Sequence, residues 1–86
     1  MPKLPRVSSS DTIKALERLG FVQVRQKGSH LILKKQLSQH QSKLIGKQQV
    51  GCVVPMQRKT LATGTLKNIL NQGNITVEQF LDALNS

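Results

Sequence analysis

Two apolar runs separated by a short polar turn constrain the fold of this chain most strongly. The first run covers residues 21–26, the second covers residues 30–35, and Lys27-Gly28 lies between them. Apolar and polar residues alternate along the first run, which is the period of a β-strand. Gly28 can adopt the positive φ that a tight hairpin turn requires. The pattern therefore predicts an antiparallel β-hairpin that closes on Lys27-Gly28.

Side-chain alternation divides each predicted strand into two faces. In the first strand, Val22 and Val24 are expected to share one face. Gln23 and Arg25 are expected to share the other. Both faces of the second strand are partly apolar, so alternation alone does not decide which one meets the core. Its polar ends favour an outward-facing His30.

Capping signals and apolar spacing delimit the other elements. Ser8 with Asp11 is typical of a helix start, and Gly20 is typical of a helix stop. The predicted elements are a helix over about 9–19, strands over 21–26, 30–35 and 50–54, a helix capped by Thr63 or Thr65 and closed by Gly73, and a terminal helix with a Thr76–Gln79 capping box. Residues 36–49 are interpreted as a long mobile hairpin connection with strand extensions at either end. The order predicts an α+β fold, a three-stranded antiparallel sheet with helices on one face.

Charge is the strongest signal in the composition. The chain has 86 residues, enough for one domain, and carries a formal net charge of +9. No acidic residue lies between Glu17 and Glu78, so the basic middle repels itself unless a polyanion or an acidic protein faces it. Nucleic acid is the leading partner, and a merely soluble basic surface is the simpler alternative.

Hydropathy and cysteine content indicate the cellular compartment in which the chain is expected. No apolar run approaches the length of a membrane-spanning helix, and no secretory signal is expected at the amino terminus. The single cysteine, Cys52, lies among valines and excludes an intramolecular disulfide. It is interpreted as a small buried strand residue, which fits the reducing cytoplasm.

His30 is the leading candidate for chemistry. Histidine gives and takes protons near neutral pH, and Arg25 and Lys27 lie close to it in the sequence. Ser29 either positions phosphate or hydrogen-bonds the backbone of the turn, and the residues leave both roles open. His40, the only other histidine, is interpreted as a solvated loop residue with a lesser claim to catalysis. No cluster of metal-ligand residues occurs at a usual spacing, so no metal or other cofactor is expected.

The residues around this turn resemble a known family. The segment Leu19-Gly20-Phe21, followed by Val24-Arg25-Gln26-Lys27-Gly28-Ser29-His30, is similar to the signature of the HicA (YcfA-like) toxins of bacterial toxin–antitoxin systems. Downstream, the similar positions are the valine strand that ends in Pro55, Gly64-Thr65-Leu66, Ile69-Leu70, Thr76 and Phe80-Leu81. The resemblance covers roughly Ser8 to Leu84, so residues 1–86 are expected to form a single domain of this type.

The resemblance implies a fold like that of double-stranded-RNA-binding domains and the activity of an mRNA interferase, a small ribonuclease. It also implies a HicB-like antitoxin that masks the active site. His30 falls on the family's catalytic histidine, and RNA or phosphate would be bound by Arg25, Lys27, Gly28, Ser29 and Lys34. Two departures stand out. Many members have a second histidine just after the strand-three proline, where this chain reads Pro55-Met56-Gln57, and the 36–49 connection looks longer than usual.

Three rival functions remain open from the residues. The first is a non-catalytic RNA-binding module of the same fold. The second is an interaction protein whose basic face meets only an acidic partner. A DNA-binding regulator is less favoured, because no predicted helix carries a concentrated basic face. With two phenylalanines at core positions and no Tyr or Trp, single-strand readers that stack bases on aromatic rings are also disfavoured.

Overall fold

A computed structural model describes residues 3–86 of the chain. The helices and strands follow one another as α1 (Ser9–Arg18), β1 (Val22–Lys27), β2 (His30–Gln36), α2 (Gln39–Ile45), β3 (Gln49–Pro55), α3 (Thr63–Gln72) and α4 (Val77–Leu84). Within residues 3–86, no helix is long and apolar enough to cross a membrane.

The sheet has three antiparallel strands in the order β1-β2-β3, and helices pack on one face, as predicted. Leu31 pairs with Val54 and Leu33 with Cys52, and all four side chains are buried, so this is the core face. The core also receives Leu16 from α1, Leu66 and Ile69 from α3, and Phe80 from α4. His30 therefore belongs to the opposite, outer face, as its polar surroundings predicted.

The end of α1 follows the predicted glycine signal. Gly20 has a φ of +102°, and its N–H donates to the Glu17 carbonyl oxygen at 3.0 Å. The N–H of Phe21 donates to the Leu16 carbonyl oxygen, also at 3.0 Å. These two bonds form a Schellman motif, which turns the chain directly into β1 and buries the Phe21 ring.

The start of α3 differs from the prediction, whereas its end agrees with it. Its N-cap is Ala62, which has no side-chain capping bond, so neither Thr63 nor Thr65 caps the helix. At the other end Gly73 closes the helix as its C-cap, as predicted, but with a φ of −86°; the left-handed residue is the following Asn74, with a φ of 55°. Gly73 is needed for space instead: a Cβ there would lie 2.9 Å from Cδ1 of Ile75 and 3.0 Å from Cζ of Phe21.

The 36–49 connection contains a helix that the sequence interpretation missed. The expected strand extensions are present, because Gln36 pairs with Gln49, but α2 occupies the middle of the segment. Ser38 and Gln41 form a capping box, and Gly46 ends the helix with a φ of 70°. The segment has few apolar residues and no helical periodicity, so its capping residues were the only sequence signal for α2. Its mobility stays a prediction.

Candidate functional site

His30 lies at the rim of the sheet, next to the hairpin turn. Lys27 pairs with His30 across a two-residue turn made of Gly28 and Ser29, and Gly28 has a φ of 59°. A positive φ at only the first central residue is the pattern of a type II′ turn, which suits the twist of a β-hairpin. The Ser29 carbonyl oxygen accepts a 2.7 Å hydrogen bond from the Met56 N–H, which ties the turn to the end of β3.

The His30 side chain is exposed on the outer face. It lies between Lys27 of β1 and Pro55 of β3, its two partners in the sheet register. The neighbouring Leu31 is 4% exposed and points into the core, which fixes the strand and therefore the direction of the histidine. An imidazole at this position is accessible to a macromolecule in solution without any rearrangement of the core.

A β-bulge in β1 brings Arg25 to the same face as His30. Gln23 pairs with Leu33, but the next paired residue is Arg25, which lies opposite Ile32, and Val24 is the extra residue. Gln23 and Arg25 therefore lie on opposite faces, and the prediction that they share one was wrong. Two-residue alternation cannot anticipate an inserted residue.

The consequence of the bulge is a cationic surface around the histidine. Lys27 is directly opposite His30, and Arg25 is its diagonal neighbour, a separation of roughly 7–8 Å between backbones. Both side chains are exposed. Lys34 shares the face but is four residues along β2 from His30, about 14 Å at the usual strand rise. The structure thus groups Arg25, Lys27 and the Gly28-Ser29 turn with His30, and sets Lys34 apart.

A second structural support for the site comes from α1. Ser9 is 3% exposed, and its hydroxyl donates to the Pro55 carbonyl oxygen at 2.6 Å and accepts from the Arg58 N–H at 3.0 Å. The Ser9 N–H also donates to the Arg58 carbonyl oxygen at 3.0 Å. These bonds fix the turn at 55–58, in which Gln57 has an unusual φ of 62°.

This Ser9-bound turn begins beside His30 and places Arg58 at its exposed end. The sequence alone indicates no more than a basic connector over residues 56–62. The contact between Ser9 and Pro55 joins residues 46 positions apart, and nothing in the local sequence of either residue signals it. Only the fold reveals that Ser9, in the first turn of α1, hydrogen-bonds to the turn at 55–58 beside the candidate site.

The other reactive residues lie elsewhere. His40 is exposed on α2, in the connection between β2 and β3. Cys52 is buried in β3 on the core face, as predicted, and burial raises the pKa of its thiol to about 11. Residues 3–86 contain no group of three or more His, Cys, Asp or Glu side chains that could hold a metal ion.

The arrangement combines one exposed imidazole, at least two nearby cations and a two-residue backbone turn that is hydrogen-bonded to the end of β3. An imidazole can act as a proton donor or acceptor near neutral pH, and fixed cations stabilise negative charge on phosphate oxygens. The Gly28 backbone is open, because a Cβ placed there would meet no atom within 4 Å. An extended polyanion can therefore approach the turn closely.

Comparison with known proteins assigns the family. Residues 9–75 match the family model described as the HicA toxin of bacterial toxin–antitoxin systems. The match includes α1, the whole sheet with His30, and α3. No curated protein matches the chain. Since the family model covers well over half of the sequence, the chain belongs to the HicA toxin family of bacterial toxin–antitoxin systems.

Proposed function

We propose that this toxin is a metal-independent endoribonuclease, an mRNA interferase, in which His30 is the general acid/base. The observation that carries the proposal is the exposed His30 at the sheet rim, paired across the hairpin with Lys27 and flanked by Arg25. The family assignment supplies the toxin role. The chemistry rests on the residues that surround the histidine.

The reaction needs two proton transfers. His30 takes the proton of a ribose 2′-hydroxyl, and the resulting oxygen attacks the adjacent phosphorus. The bond from phosphorus to the 5′-oxygen breaks, which leaves a 2′,3′-cyclic phosphate on one fragment. The departing 5′-oxygen takes up a proton from the imidazolium or from solvent at this exposed site. General acid–base catalysis of this kind contributes roughly 100- to 10,000-fold.

The cations have a separate task. Negative charge grows on the non-bridging phosphate oxygens as the 2′-oxygen attacks, and fixed positive groups stabilise it. We assign this role to Lys27 and Arg25, and we expect Ser29 and the open Gly28 backbone to line the approach of the RNA. Lys34 lies too far along β2 to reach the same phosphate, so we assign it to a neighbouring part of the RNA strand.

RNA would be held mainly through its backbone. Both phenylalanines are buried, Phe21 at 2% and Phe80 at 0% exposure, so neither ring offers a stacking surface. Arg25, Lys27 and Lys34 would neutralise about three phosphates, which predicts a log–log salt slope of roughly −2 for single-stranded RNA. Changing Arg25 or Lys27 to Gln should reduce the magnitude of that slope by about 0.7 each.

The antitoxin partner that the family implies completes the proposal. We infer that a HicB-like antitoxin masks the His30 end of the sheet, and that the toxin acts in the cytoplasm, where mRNA is found. The masking partner would present carboxylates to the surface of Arg25 and Lys27, because the toxin has no acidic residue between Glu17 and Glu78.

The decisive experiment compares His30→Ala with His40→Ala. Purified variants are incubated with a structured mRNA in the presence of a chelator, and cleavage rates are measured beside RNA affinity. His30→Ala should lose on the order of 100-fold or more in rate and keep most of its RNA affinity. His40→Ala should behave as wild type.

Two results would reject the assignment. One is a His30→Ala protein that still cleaves RNA and still arrests growth when induced alone. The other is a wild-type protein that binds RNA without cleaving it, which would make the chain a non-catalytic RNA-binding module. Cleavage that stops when the chelator is added would reject metal independence alone.

A further inference from the structure

A shallow apolar groove lies on the outer side of the sheet, away from His30. We call it the valine groove; it is lined mainly by Val22, Val24, Lys34, Lys35, Gln36 and Gln49. Its volume is about 410 Å³. It occupies the end of β1 and β2 opposite the hairpin turn, so the catalytic candidate and the groove use different parts of the same surface.

The two valines are unusually exposed for apolar side chains. Val22 is 59% exposed and Val24 is 50% exposed, and the bulge places both beside Lys34 and Gln36. β1 is an edge strand and all six of its residues are exposed. Removing this apolar pair from water by covering it with another surface would lower the free energy of the system.

The chemistry of the groove selects a protein partner over RNA. Valine cannot stack on a base as an aromatic ring does, so the two valines themselves offer RNA little beyond the phosphate contact assigned to Lys34. Strand addition along β1 is also disfavoured, because a bulge and two cations interrupt the edge. The contact that fits is one between side chains, in which apolar groups of the partner cover Val22 and Val24.

Charge specifies the partner further. Lys34 and Lys35 border the groove, and the central part of the chain supplies no carboxylate of its own. The partner segment should therefore carry Asp or Glu beside its apolar residues. The family of this toxin implies a protein partner, the antitoxin.

We propose that the valine groove is an anchoring surface for an acidic–apolar segment of the antitoxin, distinct from the part of the antitoxin that covers His30. The proposal rests on the family assignment and does not depend on the cleavage chemistry. It explains why Val22 and Val24 remain exposed near the start of β1, the end of the strand farther from His30.

The test measures binding of the purified cognate antitoxin by isothermal titration calorimetry. The double variant Val22→Ser, Val24→Ser should bind about 10- to 100-fold more weakly, since two half-exposed valines lose their apolar contact. Leu44→Ser is the matched control: Leu44 is 71% exposed on α2 and lies outside the groove, so its change should leave affinity within about threefold. Lys34→Gln should weaken binding as well and make it less sensitive to salt.

The thermal midpoint of each free variant verifies folding, and RNA cleavage by the free valine variant should equal that of wild type. Unchanged affinity of the valine variant for antitoxin would overturn the proposal. An equal loss for Leu44→Ser would do the same, because it would show no preference for the groove. Loss of RNA binding with unchanged antitoxin affinity would assign the groove to RNA. Because the binding measurement contains no RNA, a failure here is distinct from a failure of the nuclease assignment.

Discussion

Removing the Ser9 hydroxyl should destabilise the protein far more than an ordinary serine substitution at the start of a helix. The hydroxyl makes two hydrogen bonds, to the Pro55 carbonyl oxygen at 2.6 Å and from the Arg58 N–H at 3.0 Å. Each such bond contributes about 1 kcal/mol net, and an orphaned polar group adds a further penalty. Ser9→Ala should therefore cost about 2–3 kcal/mol.

That cost is large for a chain of this size. A loss of 1 kcal/mol lowers the midpoint by roughly 4–8 °C in domains of 60–100 residues, so Ser9→Ala should melt about 10–20 °C below wild type. Calorimetry gives the midpoint, and urea unfolding gives the free energy with its slope as a test of two-state behaviour. Ser10→Ala, in the same first turn but exposed, should change the unfolding free energy by less than about 0.5 kcal/mol.

The same substitution should affect cleavage well below the melting temperature. Ser9 holds the turn at 55–58, and the Met56 N–H in that turn holds the carbonyl oxygen of Ser29, the residue before His30. We expect Ser9→Ala to cleave RNA more slowly than Ser10→Ala at a temperature where both are folded. A Ser9→Ala protein as stable and as active as Ser10→Ala would refute the structural role assigned to this hydroxyl.

Three further outcomes follow from packing and titration. Gly73→Ala should destabilise by about 1–3 kcal/mol in urea, because its Cβ would lie 3.0 Å from Cζ of the buried Phe21 ring. Gly64→Ala in α3, where the added Cβ would meet no atom within 4 Å, should stabilise by up to about 1 kcal/mol in the same assay. Burial raises the pKa of the Cys52 thiol from 9.0 to about 11, so the unfolded state releases its proton first and stability should fall as pH rises from 9 to 11. Cys52→Ala should lack that part of the decline. If its stability changed with pH in the same way as that of wild type, the raised pKa of the Cys52 thiol would be contradicted.

The sequence predicted most of the fold because its signals were local. The Gly20 stop, the Thr76–Gln79 capping box and the turn at Gly28 each depend on residues within a few positions, and each is present in the structure. The outward direction of His30 was also predicted correctly, from the polar ends of its strand. Local residue chemistry is enough where the structural requirement is itself local.

The remaining features depend on information that alternation and capping do not contain. The bulge at Val24 changes the face of Arg25, and a strand pattern with a period of two gives no sign of an inserted residue. The role of Ser9 arises from contacts across 46 and 49 positions. The missed helix α2 is a different case, since its capping box was readable but its few apolar residues hid the element.

The few contacts that α2 makes with the core predict that the 36–49 connection is thermodynamically separable from the rest of the toxin. The β2–β3 ladder is already closed beneath it by the Gln36–Gln49 pair, and the Leu37 N–H donates to the Gln48 carbonyl oxygen. Within α2 only Ile45 packs against the core, and none of its residues is fully buried. We therefore expect the helix to unwind and re-form while the sheet stays intact, and its amides to exchange with solvent by local opening. We expect changes of length in this connection to cost little more free energy than the closure of a longer loop.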